Sequence, residues 1–164
     1  MRKIIILLLL ILSFVLTSSV REKNYKLYSI FVYKFAQNIQ WPEKPGDFVL
    51  GVYGNELAYQ EFILLQTKSI GSRKIVIKKI TSPSWNGYDL IFVPSEHSKV
   101  LPDLNTKTSG QPILIISETD KMTNSGINFV LDNDRLKFEV NKKNCESRNL
   151  QVSKDLILLA FNVQ

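Results

Sequence analysis

Three short apolar runs constrain the fold of this chain most: Phe48–Tyr53, Asp89–Val93 and Pro112–Ser117. Each is nearly continuous in apolar residues, and each is too short for a buried helix. Gly54-Asn55 closes the first and Pro94 the second, as expected at strand ends. A strand that is apolar on both sides belongs inside a sheet with helices on both faces, the setting of parallel strands.

The intervening segments fit that frame. Between Tyr25 and Ile39, the residues Leu27, Ile30, Phe31, Phe35 and Ile39 recur at helical spacing. They predict a helix with that stripe toward the core, widened by Val32 and Tyr33. Trp41-Pro42 ends it, because proline disfavours helical geometry in the residue before it. Glu56–Gln66 reads as a helix, and the β-branched segment Arg73–Ile80 as a strand. Residues 95–109 read as a helix interrupted by Pro102. Ile127–Leu131 and Arg135–Val140 form a hairpin across Asp132-Asn133-Asp134. In its second strand Leu136, Phe138 and Val140 face one way and Arg135, Lys137 and Glu139 the other, leaving one face for solvent or a partner. Ser153 caps a last helix with Leu156, Ile157, Leu159 and Ala160 on its apolar side. Helix–strand alternation followed by a hairpin, over 164 residues without a linker, predicts a single-domain α/β layered sandwich. Its central sheet is mixed, partly parallel and flanked by helices.

The N-terminus sets the compartment. Arg2 and Lys3 precede the run Ile4–Leu16, apolar except for Ser13, and Thr17-Ser18-Ser19 follows. That is the layout of a signal peptide cleaved near Ser19, and the run falls short of the about 20 apolar residues of a spanning helix. The expected division is residues 1–19 as signal peptide and residues 20–164 as the domain, soluble in the periplasm. Cleavage removes Arg2 and Lys3, so the net charge of +6 falls by two. The remaining basic pairs, such as Arg73-Lys74 and Lys142-Lys143, are short and scattered, and no nucleic-acid partner is expected. Cys145 is the only cysteine, so the fold rests on its apolar core and not on disulfides. It is either a buried structural thiol, the commoner outcome, or an exposed one able to bridge two chains.

Candidate sites for chemistry are sparse. His97 is the only histidine, so a Ser–His–Asp set or a histidine metal site would rest on it alone. It follows Ser95 and Glu96 after a strand, at the sheet end where α/β proteins bind ligands. A helix start with Ser95 as cap and Glu96 in the first turn accounts for the same residues. Gly51 and Gly54 lack the third glycine of a dinucleotide fingerprint. Asp132 and Asp134 lack a calcium-loop pattern and suit a hairpin turn. The expectation from these residues is an exported domain that is not an enzyme, with no cofactor and no metal.

Taken in series, the segments resemble the YfiR-like periplasmic regulators. Lys26–Pro42 is similar to their first helix, which ends in Trp-Pro. Val49–Gly54 and Tyr88–Val93 are similar to two of their strands, and Ile113–Glu118 to a third. Gly126–Val130 and Leu136–Asn141 are similar to their "GGMINF" and "IRFEIN" strands, and Leu150–Ala160 to their closing helix. The resemblance covers nearly all of the chain beyond residue 19. It implies an α/β sandwich that tends to dimerise and an exported, non-enzymatic regulator of an inner-membrane signalling protein. The partner it implies is the periplasmic sensory domain of a diguanylate cyclase, or of a sensor kinase. An outer-membrane lipoprotein that sequesters the regulator, cyclic di-GMP output and biofilm formation belong to the same picture. The chain departs from the family where Tyr88 or Asp89 stands in the place of a Cys that many relatives carry, and at Ser125, where they often carry Gly. A disulfide switch within one chain is therefore absent.

The expected partner-binding residues are Trp41, an aromatic anchor beside the helix stop, and Arg135, Lys137 and Glu139 as a polar rim. Trp41 as a core plug is the competing reading. The alternative function is a small-molecule-binding module with a pocket at the strand ends near Gly54, Pro94 and Ser117. A hydrolase using His97 is a third.

Overall fold

The computed structural model describes residues 23–122 and 124–164; the expected signal peptide lies outside them. Asn24 starts helix α1 (Tyr25–Gln37) by accepting the Leu27 amide on its side chain at 3.2 Å. The buried face of α1 carries Tyr25, Tyr28, Val32, Phe35 and Ala36. This corrects the stripe expected from apolar spacing: Phe35 and Ile39 are buried, but Leu27 and Ile30 lie on the outside. Two apolar stripes compete on this helix. The one with interlocking rings faces the sheet, with Tyr28–Phe129 and Phe35–Phe138 centroids 4.7 Å apart.

The elements that follow are β1 (Ile39–Gln40), β2 (Phe48–Tyr53), α2 (Glu56–Ile63), β3 (Ser69–Ile70), β4 (Arg73–Ile80) and β5 (Leu90–Val93). Then come α3 (Leu101–Lys107), β6 (Leu114–Glu118), β7 (Ile127–Asp132), β8 (Arg135–Val140), α4 (Lys142–Ser147), β9 (Gln151–Val152), α5 (Lys154–Leu159) and β10 (Asn162–Val163). Among the described residues, eight strands form one mixed sheet in the order β10-β8-β7-β6-β5-β2-β4-β3. Its middle, β4-β2-β5-β6-β7, is parallel. β8 turns back antiparallel on β7 and β3 on β4, whereas β10 runs parallel to β8. The continuous apolar runs become β2, β5 and β6, all interior, as their composition requires.

Helices α1 and α2, with Cys145 of α4 and Leu156 of α5, cover one face. Helix α3 covers the other, with Leu101 and Leu104 packed beside Trp85 on Ile91, Val93 and Ile115. Pro102 sits in the first turn of α3, where its missing N–H costs nothing, so it starts the helix and does not interrupt it. A 3-10 turn, Ser95–Val100, precedes it; Ser95 makes no capping bond there, contrary to expectation. The β7–β8 turn is closed by Asn133 and Asp134, both at positive φ (48° and 62°), the backbone of a two-residue hairpin. The two-residue strands and α4 are too short for a periodic signal and were not legible beforehand. Cys145 is fully buried, and burial pushes its thiol up to about 12.

At the amino-terminal end of the sheet, Asp89 is buried and serves as a junction. It accepts the Val49 amide at 2.8 Å, pairs with Arg73 of β4 at 2.8 Å and takes Lys44 at 3.1 Å. The expected departure at Tyr88 and Asp89 is thus an ion-paired tie between three strands. Removing the carboxylate leaves the Arg73 guanidinium, itself only 15% exposed, without its anion and with only the Gly46 and Asp47 carbonyls to bond. Asp89→Ala is expected to lower the unfolding free energy by about 3–5 kcal/mol. Lys44→Ala, at a solvent-exposed partner, should cost under about 1 kcal/mol. Urea unfolding of both variants checks this, and equal effects would refute the junction.

Candidate functional site

Crossover α2 leaves β2 on one face and crossover α3 leaves β5 on the other, so the chain diverges between these neighbouring strands. The crevice beyond the carboxyl ends at such a point is the usual ligand position of doubly wound sheets. Here the chain's own side chains fill it. Lys23, just ahead of α1, bonds Ser95 Oγ and pairs with Glu118 at 2.9 Å and Glu96 at 3.4 Å. Tyr28 donates to Glu118 at 2.9 Å and Tyr25 to Glu96 at 3.4 Å, while the Asn55 amide reaches Tyr25 at 3.2 Å and also bonds Glu96.

The electrostatics of the cluster are internally matched. Burial, then the adjacent carboxylates Glu96 and Glu118, push the Tyr25 and Tyr28 hydroxyls upward, so both remain donors at neutral pH. Burial also works against the charge on Glu96. Its own backbone amide, Asn55 and Lys23 outweigh that and hold the carboxyl below its ordinary value.

The same crevice leaves little room near the residues of the small-molecule alternative. Gly54 adopts φ +68°, and a Cβ there would collide with the His97 ring. His97 packs edge-on against Tyr53 at 5.4 Å. Ser117 is buried and bonded to Ser125 and Asn128. Among the described residues, no group of three or more His, Cys, Asp or Glu is placed to hold a metal ion.

The expected partner residues fall in two places. Trp41 is half-buried at the other end of the molecule. It donates to the Ala36 carbonyl at 2.8 Å, stands edge-on to Phe48 at 4.9 Å, and lines a groove of about 880 Å³ with Pro42, Lys44 and Arg73. Arg135, Lys137 and Glu139 share one face of β8, which β7, β6 and β5 separate from the β2 strand that Trp41 touches. Lys137 pairs with Asp132 and lies 4.2 Å over the Phe161 ring.

Beside β8 is a feature that sequence reasoning missed. Phe31, Leu136, Lys137, Phe138, Leu159 and Phe161 line an apolar groove of about 420 Å³. Leu159 is 73% exposed and Leu131, paired across from Leu136, 65%, with Ile30 of α1 nearby in the chain. Leu159 was expected on the buried side of the last helix; only Leu156 of that set is buried, because α5 ends at Leu159 and Ala160 is already extended. A signal was present, since four consecutive apolar residues, Leu156–Leu159, cannot all face inward from so short a helix.

Residues 25–161 match the YfiR/HmsC-like family, most of the chain and every long element. The chain belongs to that family. No curated protein matches it. YfiR-like proteins are periplasmic regulators, and among the described residues no helix is long and apolar enough to cross a membrane.

Because the folded state holds Glu96 below its unfolded value, the carboxylate stabilises the fold at neutral pH and that contribution is lost as pH falls through the depressed value. Lys23→Met is expected to lose less stability than the wild type between pH 7 and about pH 3, since part of the depression disappears. Urea midpoints at the two pH values measure this; parallel losses would remove Lys23 from the account.

Proposed function

We propose that this chain is an exported, non-enzymatic regulator that binds the periplasmic sensory domain of an inner-membrane signalling protein, a diguanylate cyclase or a sensor kinase, and modulates its activity. Membership of the YfiR/HmsC-like family supports the class of function. The observation that carries the contact is the exposed apolar surface of Leu159 and Phe161 beside β8. Clusters of large exposed apolar side chains mark interaction sites. Arg135, Lys137 and Glu139 stand next to it and supply the polar rim typical of regulated interfaces. Trp41, with one edge in its groove, is a second and separate contact point, for a lipoprotein or for another copy of the chain.

The crevice where an enzyme or solute-binding protein of this topology would hold its ligand is occupied by Lys23 and His97, which favours contact through the outer surface. Pull-down of the tagged chain from membranes, followed by direct binding to the recovered protein's purified external domain, tests the reading. The expected result is a sensor with an external domain whose affinity falls about tenfold or more for the Leu159→Ala/Phe161→Ala double variant. Recovery of no membrane sensor, or an affinity indifferent to both substitutions, would overturn it.

A further inference from the structure

Strand β8 carries the outer edge of the long part of the sheet; β10 pairs with Glu139 and Val140 of it, and the residue before β10 bonds the Phe138 carbonyl. The direction of the β8 main chain follows from two bonds: the Phe138 carbonyl accepts the Phe161 amide at 2.8 Å and the Val140 carbonyl accepts the Gln164 amide at 2.9 Å. The β7–β8 pairing runs without a bulge from Ile127↔Val140 to Asp132↔Arg135. Residues of one parity therefore send their main-chain groups the same way, and the N–H and C=O of Leu136 point outward past the end of β10. Among the described residues no strand pairs with β8 there.

This lane has two different walls. On one side lie the apolar side chains of Phe31, Leu136, Phe138, Leu159 and Phe161. On the other stands Arg135, and Lys137 joins the two walls, since it pairs with Asp132 and also lines the groove with its ammonium over the Phe161 ring. Open strand edges invite pairing, and proteins commonly block them with charge. Arg135 and Lys137 alone would be such a block, but the same edge also carries exposed apolar surface, with Leu131 across from Leu136 and Leu159 and Phe161 at the groove, as a blocked edge would not.

We propose that the Arg135–Phe138 edge of β8 is a strand-addition site for an extended segment of a partner protein in which apolar and acidic residues alternate. Its main chain bonds Leu136, its apolar side chains enter the groove at Phe31 and Phe161, and its carboxylates meet Arg135 and Lys137. Side-chain alternation in a strand presents those two sets to opposite faces, matching the two walls. Charge selects against a second copy of this chain as the occupant. Antiparallel pairing of two β8 edges about Leu136 would set Arg135 directly across from Lys137 of the other copy, and like charges across strands are destabilising. The proposal rests on the reading that the chain acts by protein contact, and names the mode of that contact.

The test uses residues 20–164 and two synthetic peptides, one alternating Glu and Val and one alternating Lys and Val, followed by NMR. The Glu peptide is expected to shift Arg135–Phe138 and Leu159–Phe161 and to slow exchange of the Leu136 amide at least about tenfold, and to bind at least about tenfold tighter than the Lys peptide. Leu136→Pro, which takes an outward N–H from the ladder, abolishes binding, while Leu136→Ala, which keeps that N–H and loses the same leucine side chain, retains most of it. Unchanged Leu136 exchange in the wild type, or equal binding of the two peptides, overturns the proposal even if the proline variant does not fold. Protection of Leu136 that rises with protein concentration without peptide also overturns it, in favour of a second copy. With the membrane partner in hand, binding that survives Leu136→Pro but is lost in Leu159→Ala/Phe161→Ala sinks the strand mode alone. Binding unaffected by either sinks the partner surface as well.

Discussion

The packing of helix α1 across the sheet through aromatic rings is the interaction on which the rest of the structure depends. Phe129 is its centre: Tyr28 lies at 4.7 Å, Phe35 at 5.5 Å, Phe31 at 6.1 Å and Phe92 at 6.3 Å from its ring. Rings at these separations bury large areas and hold preferred mutual angles, so they set the rotation of the helix as well as its distance from the sheet. That rotation brings Lys23 over the carboxyl ends of β5 and β6 and drops the Trp41-Pro42 stop onto Phe48 at the other end. It also turns Leu27 and Ile30 outward. The crevice plug, the groove at Trp41 and the outer apolar stripe are three consequences of one packing decision.

The two faces of the sheet are covered unequally, and the inequality locates the interaction surface. One face carries α1, α2, α4 and α5; the other carries α3 and the Trp85 loop. Among the described residues the β6–β7 connection has no helix, and on that side a buried hydrogen-bonded set of Ser117, Ser125 and Asn128 stands where apolar packing would otherwise continue. Such a network is stable only when every member is satisfied, and Asn128 meets this by accepting from the Ser117 hydroxyl and the Thr119 amide while donating to the Thr119 carbonyl. Beyond it the face becomes Arg135, Lys137 and Glu139, which water can solvate. The sheet passes from a two-sided core to a one-sided edge within three strands.

Buried charge follows the same rule of local compensation. Asp89 gathers a backbone amide and two cations at the amino-terminal end of the sheet. Arg148 is buried too, and donates to the Thr108 carbonyl at 2.8 Å and to Asn105 Oδ1 at 3.0 Å. Thr108 caps the carbonyl end of α3, so the guanidinium meets orphan helix acceptors there. Arg148 thus ties α4 to α3 around the sheet end. Asp89 is the more demanding of the two junctions, because its loss would leave a cation without its anion.

The division between what was legible in the residues and what was not follows from the range of each interaction. Continuous apolar runs identify interior strands because burial on both faces leaves no polar alternative, and so β2, β5 and β6 were readable along with the α/β layering. The alternation of Arg135–Val140 likewise announced a half-exposed strand, since its period is local. The face of α1 was misjudged because two apolar stripes satisfy the same helical period, and only the rings of Phe92, Phe129 and Phe138, distant in sequence, choose between them. Lys23 meets Glu96 and Glu118 across 73 and 95 positions, and no spacing rule links them. The same holds for the edge beside β8, which is assembled from α1, β8 and the C-terminal segment. Sequence by itself determined the layers, the interior strands and the family pattern, because each rests on local periodicity. Only the tertiary structure decided which apolar side chains were left outside and which charges met, because those depend on the rotation of one helix against a sheet whose strands come from the whole chain.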